Sequence, residues 1–280
     1  MVPPGRVGRD GFLRLRFERR GPARTVLVER RFTLPLQALE PVDLDGTGVA
    51  TLMLLNPTGG VLGGDVLDTE VDLGAGARVC LTTPAATRVY RSAGAPAAQR
   101  LRVTVGAGAQ LEYVPDHLIP SPGARLHQSI DVMLADGASL LLLDAWAVGR
   151  AARNERWGFA ELDARLDVRD PRGLILKERC ALGPARRDGL GETEGCPYVA
   201  TFAALAPSRD GWDDLAVALV AAVDGRASGA RIGASALGRG GVLARLLCPS
   251  APSLASAVRA VWAECRWRVL GLAPLALRKL

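Results

Sequence analysis

Two carboxylates stand where an apolar strand would ordinarily continue. Asp144 follows Leu140-Leu141-Leu142-Leu143, and Glu178 follows Leu174-Ile175-Leu176-Lys177. An acid in such a run is costly to bury without a partner or water. Two readings meet that cost. One places each acid on an outward strand face with Arg150, Arg153 or Arg179 as ion-pair partner. The other is a hydrated internal path whose oxygen donors pass a divalent ion without holding it. His117, beside Asp116 and between Pro115 and Pro120, reads either as a structural histidine on an irregular loop or as a transient metal ligand. Asp65 closes the segment Asn56-Pro57-Thr58-Gly59-Gly60-Val61-Leu62-Gly63-Gly64-Asp65, placed to coordinate a cation or to cap a turn. The glycines Gly59, Gly60, Gly63 and Gly64 bring that backbone close to another strand or to a ligand.

Other chemistries find little support. The glycine-rich segment lacks the Lys-Ser or Lys-Thr of a phosphate-binding loop, no G-x-G-x-x-G occurs, and the only lysines are Lys177 and Lys279. With His117 and His127 as the only histidines and no G-x-S-x-G elbow, a hydrolase built on His117 is a remote third option. Cys80, Cys180, Cys196, Cys248 and Cys265 are scattered and odd in number, with no C-x-x-C, so reduced and mostly buried thiols are expected rather than disulfides or a tight metal site. Thr87-Arg88-Val89-Tyr90-Arg91-Ser92 offers an arginine-tyrosine patch, either a protein interface or surface decoration.

The elements that must position these groups are visible as an internal repeat. Gapless copies begin at Val71, Val103 and Val132 and end at Thr83, Pro115 and Asp144. A looser copy spans Leu166 to Glu178, with Asp170-Pro171-Arg172-Gly173 as a longer turn. Each reads as strand, glycine corner, strand, with Gly74, Gly76, Gly106, Gly108 and Gly137 supplying positive φ. Such a unit buries its apolar face only by stacking, with Val79, Leu111 and Leu140 forming a seam. Stacking brings the copy ends, Thr82 and Thr83, then Pro115, Asp116 and His117, then Asp144, then Glu178, to comparable levels. The fold class is therefore mainly β: β-helical or solenoid-like layered strands, with two α-helices in the C-terminal third. We read residues 1–280 as a single domain, with repeated β rungs over about 12–190 and strands plus the two helices over about 196–280.

In that second part, Tyr198 to Leu205 is a strand. Trp212 to Val223 is a helix opened by Asp210 and closed by Gly225, and strands at Arg231–Leu237 and Val242–Leu247 turn on Gly238 to Gly241. A final helix carries Pro252 near its start and an apolar face of Leu254, Ala257, Val258, Val261, Trp262, Cys265 and Val269. Arg259, Arg266 and Arg268 fall on its other faces, and Trp267 either packs on the strands or meets a partner.

Apolar residues at 49% suffice for a sizeable core. The net charge of +6 is dispersed among acids without a basic stripe, which argues against nucleic acid. No apolar run is long enough to span a membrane, and Met1 to Arg16 is charged where a signal peptide needs an apolar run, so a cytoplasmic location is expected.

Taken together, Leu55 to Asp65, Leu81 to Ser92, Leu111-Glu112-Tyr113-Val114-Pro115 with Gly123-Ala124-Arg125, and the Ala260-Val261-Trp262 helix resemble the urease accessory protein UreD family, also called UreH. The likeness runs in order over roughly residues 12 to 272. It implies a non-enzymatic maturation factor that binds UreF, through it the GTPase UreG, and docks on apo-urease. It implies no permanently bound cofactor, with nickel in transit through an internal tunnel. Asn56, Thr58, Gly59, Gly60, Gly63, Gly64 and Asp65 match the first motif, and Thr82, Thr83, Arg88, Tyr90, Arg91 and Ser92 the second. Asp144 and Glu178 fall in the neighbourhood of the family's tunnel acids. The rival reading is a purely structural adaptor with no nickel path of its own.

Overall fold

The computed structural model describes residues 10–21, 24–185, 188–227 and 229–277. The first nine residues of the charged segment Met1 to Arg16 lie outside them.

Strands β1 (Asp10–Arg20), β2 (Arg24–Thr33), β3 (Gln37–Ala38) and β4 (Ala50–Leu55) open the chain. The repeats then supply β5 (Val66–Leu73), β6 (Arg78–Thr82), β7 (Thr87–Val89), β8 (Ala97–Val105), β9 (Gln110–Tyr113), β10 (Leu118–Pro120), β11 (Arg125–Leu134) and β12 (Ser139–Ala147). A two-stranded ribbon, β13 (Gly149–Arg150) and β14 (Glu155–Arg156), precedes β15 (Glu161–Asp170) and β16 (Gly173–Leu182). The remainder is β17 (Tyr198–Leu205), helix α1 (Trp212–Asp224), β18 (Arg231–Leu237), β19 (Gly241–Cys248) and helix α2 (Ala251–Leu270). The first sheet runs β16-β15-β11-β8-β5-β1-β2 and the second β18-β19-β17-β12-β9-β6-β4-β3. The chain passes from the first sheet to the second at each glycine corner, and equivalent strands pair in parallel, which makes a β-solenoid of roughly four turns.

Alternation explains the layering. In β8, Leu101, Val103 and Val105 are buried while Arg100, Arg102 and Thr104 are exposed. The outward residues ladder across strands, Arg102 meeting Glu70 at 3.0 Å and Arg100 meeting Asp68 at 3.5 Å. The inward seam falls as expected: Val79 pairs with Leu111 and Leu111 with Leu140, all buried. The corner glycines divide into two roles. Gly76, Gly108 and Gly137 do take positive φ, whereas Gly74 and Gly106 do not. Gly106 is small because a Cβ there would stand 2.5 Å from the Leu73 carbonyl oxygen of the preceding turn.

The looser copy departs from the pattern. Asp170 to Gly173 folds β16 back antiparallel onto β15 within the first sheet, pairing Leu166 with Glu178, instead of sending it across to the second. Glu178 is thus an inward residue of the end strand and does not share the column that ends at Thr83, Pro115 and Asp144.

Both helices cover the far face of the second sheet. Trp212, Leu215, Leu219 and Val223 of α1 and Leu254, Ala257, Val261 and Cys265 of α2 pack on Phe202, Ala204, Ala244 and Leu246. Asp210 does not cap α1; Gly211, in a left-handed conformation, precedes it without a side-chain cap. Ser250 caps α2, its Oγ accepting from the Ser253 amide at 3.2 Å. Arg266, expected on an outer face of α2, is fully buried. Its Nε donates to both Glu112 oxygens at 3.1 and 3.0 Å, and its Nη1 to Asp45 Oδ2 at 3.0 Å and to the Ala273 carbonyl. Trp262 Nε1 donates to the same Glu112 at 2.6 Å. Burial pushes the Glu112 carboxyl up, against the pull of Arg266 and Trp262. Trp267 is exposed.

Candidate functional site

Between the two sheets the apolar interior is divided. One cluster, nearer the glycine corners, holds Leu13, Leu101, Leu111, Leu140, Leu142 and Leu166. The other holds Leu67, Leu126, Trp146, Leu162 and Phe159. Asp144 lies between Leu142 and Trp146 on β12, and Gln128 between Leu126 and Ile130 on β11. They meet there, Gln128 Nε2 donating to Asp144 Oδ1 at 3.0 Å. The antiparallel registers continue this level outward, with Asp144 opposite Thr201 and Thr201 opposite Arg245. A polar stratum therefore crosses the space between the layers.

A cavity of about 380 Å³ reaches this stratum. Its inner wall includes Asp144, Gln128, Tyr113, Thr69 and Gln99, and its outer wall Asn56, Gly59, Gly60, Thr83, Arg88 and Asp116. Burial raises the Asp144 carboxyl above the usual carboxylate range, partly offset by the Gln128 hydrogen bond. The Tyr113 hydroxyl is pushed up by burial and by the adjacent Asp144 charge, so it stays a protonated donor.

The mouth is built from the two peptides that stand out in the sequence, folded onto one another. The Val61 amide donates to the Arg88 carbonyl and the Tyr90 amide to the Val61 carbonyl, each at 2.8 Å. Gly60 has positive φ, and a Cβ there would stand 2.6 Å from the Arg88 carbonyl oxygen; one at Gly63 would stand 2.5 Å from Ser92 Oγ. Close approach, not anion binding, accounts for these glycines. Asn56 Oδ1 accepts from the Thr58 amide at 3.1 Å and its Nδ2 donates to the Gly60 carbonyl at 3.0 Å, fixing the turn. Arg88 and Arg91 are exposed at this rim, while Tyr90 is half-buried, its hydroxyl 3.3 Å from the Gly59 carbonyl. Gly64 completes the turn with positive φ.

The five candidate metal-path residues are only partly brought together. Asp144 and Asp116 line the cavity, the Asp116 amide donating to Thr83 Oγ1 at 2.8 Å. Thr82 is buried against the Val114 carbonyl at 2.8 Å. Asp65 is buried beneath the loop, its Oδ2 accepting from the Leu62 amide at 2.8 Å, a turn cap rather than a wall residue. His117 packs edge-on to Tyr198 with ring centres 5.3 Å apart, and it is not among the cavity-lining residues. Glu178 faces inward but pairs with Arg245 at the open side of the sandwich. Of the arginines named from sequence as partners, Arg150 pairs with Glu155 and Arg179 with Asp163. Among the described residues no group of three or more His, Cys, Asp or Glu is arranged to hold a metal ion, and none of the five cysteines forms a disulfide.

Gln128, Tyr113 and Arg245 are site neighbours that the sequence reading missed. Gln128 and Tyr113 are unremarkable in type. Arg245 interrupts Leu243 to Leu247 just as Asp144 interrupts its leucines, so the same signal was present.

A family model described as UreD urease accessory protein matches residues 9–279. A protein named urease accessory protein UreD from Opitutus terrae is 33% identical over 254 residues, covering 90% of this chain and 92% of that one. One of the same name from Deinococcus radiodurans is 34% identical over 280 residues, covering 99% and 98%. Another, from Alkalilimnicola ehrlichii, is 34% identical over 275 residues, covering 97% and 91%.

Proposed function

The chain belongs to the UreD urease accessory protein family, with a role in urease maturation, and from that premise we propose that it is a non-catalytic scaffold that also conducts nickel toward apo-urease through the space between its sheets. The observation that carries the reading is the cavity lined by Asp144. At about 380 Å³ it exceeds the space of a hydrated divalent ion, whose six waters take about 30 Å³ each in the liquid. Its polar wall offers hard oxygen donors: the Asp144 and Asp116 carboxylates, threonine hydroxyls and the Gln128 and Gln99 amides. Such donors hold Ni²⁺ less tightly than a set of imidazoles or thiolates would, which suits cargo rather than a resident ion.

Asp144 sets the field of the path. Burial disfavours its ionised form and the Gln128 amide only partly offsets this, so a passing cation would supply the counter-charge that favours ionisation. Partner binding to UreF, recruitment of the GTPase UreG through it, and docking on apo-urease complete the proposal; the absence of a phosphate-binding loop leaves GTP chemistry to the partner. The adaptor alternative draws its support from the two hydrocarbon clusters flanking the polar level and from the engagement of Glu178 by Arg245.

Replacing Asp144→Asn keeps size and hydrogen bonding while removing the charge. Urease activation in cells supplied with nickel should fall, with native melting behaviour and co-purification with the UreF-type partner retained. Full activation in that variant would leave the adaptor reading standing.

A further inference from the structure

We propose that Arg245 is a bolt on the open side of the sandwich: its guanidinium occupies the Glu178 carboxylate and keeps divalent cations off that end of the polar stratum. The inference rests on the conduit reading and adds a control residue to it. Glu178 lies on β16, the end strand of the first sheet, and faces the interior beside Leu166. Arg245 lies on β19 of the second sheet, two strands from Asp144 in the same inward-facing row, with Thr201 between them. Their ion pair thus spans the gap between the sheets at the end of the row that starts at Asp144.

Three features favour a removable bolt over a clamp. Outward acids of the neighbouring strand already have basic partners on their own sheet, Asp163 with Arg165 and Arg179 and Asp167 with Arg169 and Lys177, whereas Glu178 draws its cation from the other sheet. The Arg245 side chain is 60% exposed against 24% for Glu178, so the arginine can swing into water while the acid stays. Exposed pairs of this kind are weak, and breaking one leaves the fold intact. With the guanidinium withdrawn, Glu178 becomes an oxygen donor at the end of the row Asp144, Thr201, Arg245. With it in place, the carboxylate is engaged and a fixed positive charge repels an approaching cation.

The test is calorimetric titration of the tag-free full-length protein with nickel chloride. A fixed positive charge beside the carboxylate opposes an approaching cation even in water, so Arg245→Met, which keeps the aliphatic stem, should strengthen Ni²⁺ binding by about fivefold. Arg245→Lys should stay close to native. The double variant Arg245→Met with Glu178→Gln should return to native affinity. Arg245→Gln, made alongside, guards against a folding defect in one variant, and thermal melts accompany each. Equal affinity in native protein and well-folded Arg245→Met or Arg245→Gln would overturn the bolt, as would a gain that survives the Glu178→Gln change. The conduit itself is judged separately, by urease activation in Asp144→Asn, so either idea can fail without the other.

Discussion

Replacing Arg266 by methionine should cost about 3–5 kcal/mol, because it leaves the buried Glu112 carboxylate without its cation. Arg266 is fully enclosed and Glu112 is 1% exposed, so water cannot take over the lost contacts. Among the described residues, only the Trp262 indole would remain on the carboxylate. The variant also releases Asp45 and the Ala273 carbonyl, which Arg266 ties to α2 across 221 and 7 residues of chain. Unfolding entropy of about 2.1 cal/mol/K per residue gives about 0.6 kcal/mol/K for a chain of this length, so the melting temperature should fall by about 5–8 °C. Differential scanning calorimetry reads the shift. The companion is Glu112→Leu with Arg266→Met, which replaces both charges by apolar groups of similar bulk and should lose less than Arg266→Met alone. A single-variant loss below about 1 kcal/mol, or a double variant worse than the single, would refute a desolvated charge as the origin of the cost.

Two further outcomes follow from the outer face and the corners. Hydrogen bonds from Arg179 and Arg165 hold the Asp163 carboxyl down at about 2. Its unfolded value is about 3.9, so its stabilisation is complete above about pH 4 and is lost as the pH falls toward 2. Thermal melts of native protein should therefore decline more steeply over that window than those of Asp163→Asn; parallel curves would contradict the assignment. Gly106→Ala should destabilise by about 1–3 kcal/mol, since its Cβ meets backbone at 2.5 Å, and urea unfolding at unchanged m-value is the check.

The stacked rungs were readable because glycine at fixed offsets and period-two alternation are local signals. The looser copy misled for a physical reason: a four-residue Asp-Pro-Arg-Gly turn serves a corner and a hairpin equally. Which one forms depends on the sheet the next strand joins, and that is a non-local choice. Arg266 was legible and overlooked. It lies four residues after Trp262 and three before Val269, on the buried face by helical spacing, and its charge diverted attention from its position. Glu112, set between Leu111 and Tyr113, carried the same signature as Asp144. The cavity was not legible, because it depends on where two hydrophobic clusters stop, and Gln128 and Tyr113 acquire meaning only once the sheets face each other.

The Glu112 and Arg266 pair also constrains how this chain matures on the ribosome. The partners are separated by 154 residues, which at about 5–20 residues per second means a wait of roughly 8–30 s between their emergence. During that interval the nascent rungs hold an acid destined for burial without its counterpart, and the part of the helix-receiving face already made, including Val114, Leu141 and Leu143, lacks its cover. Early docking by a chaperone would shelter that face, and slow translation of the α2 codons would lengthen its exposure.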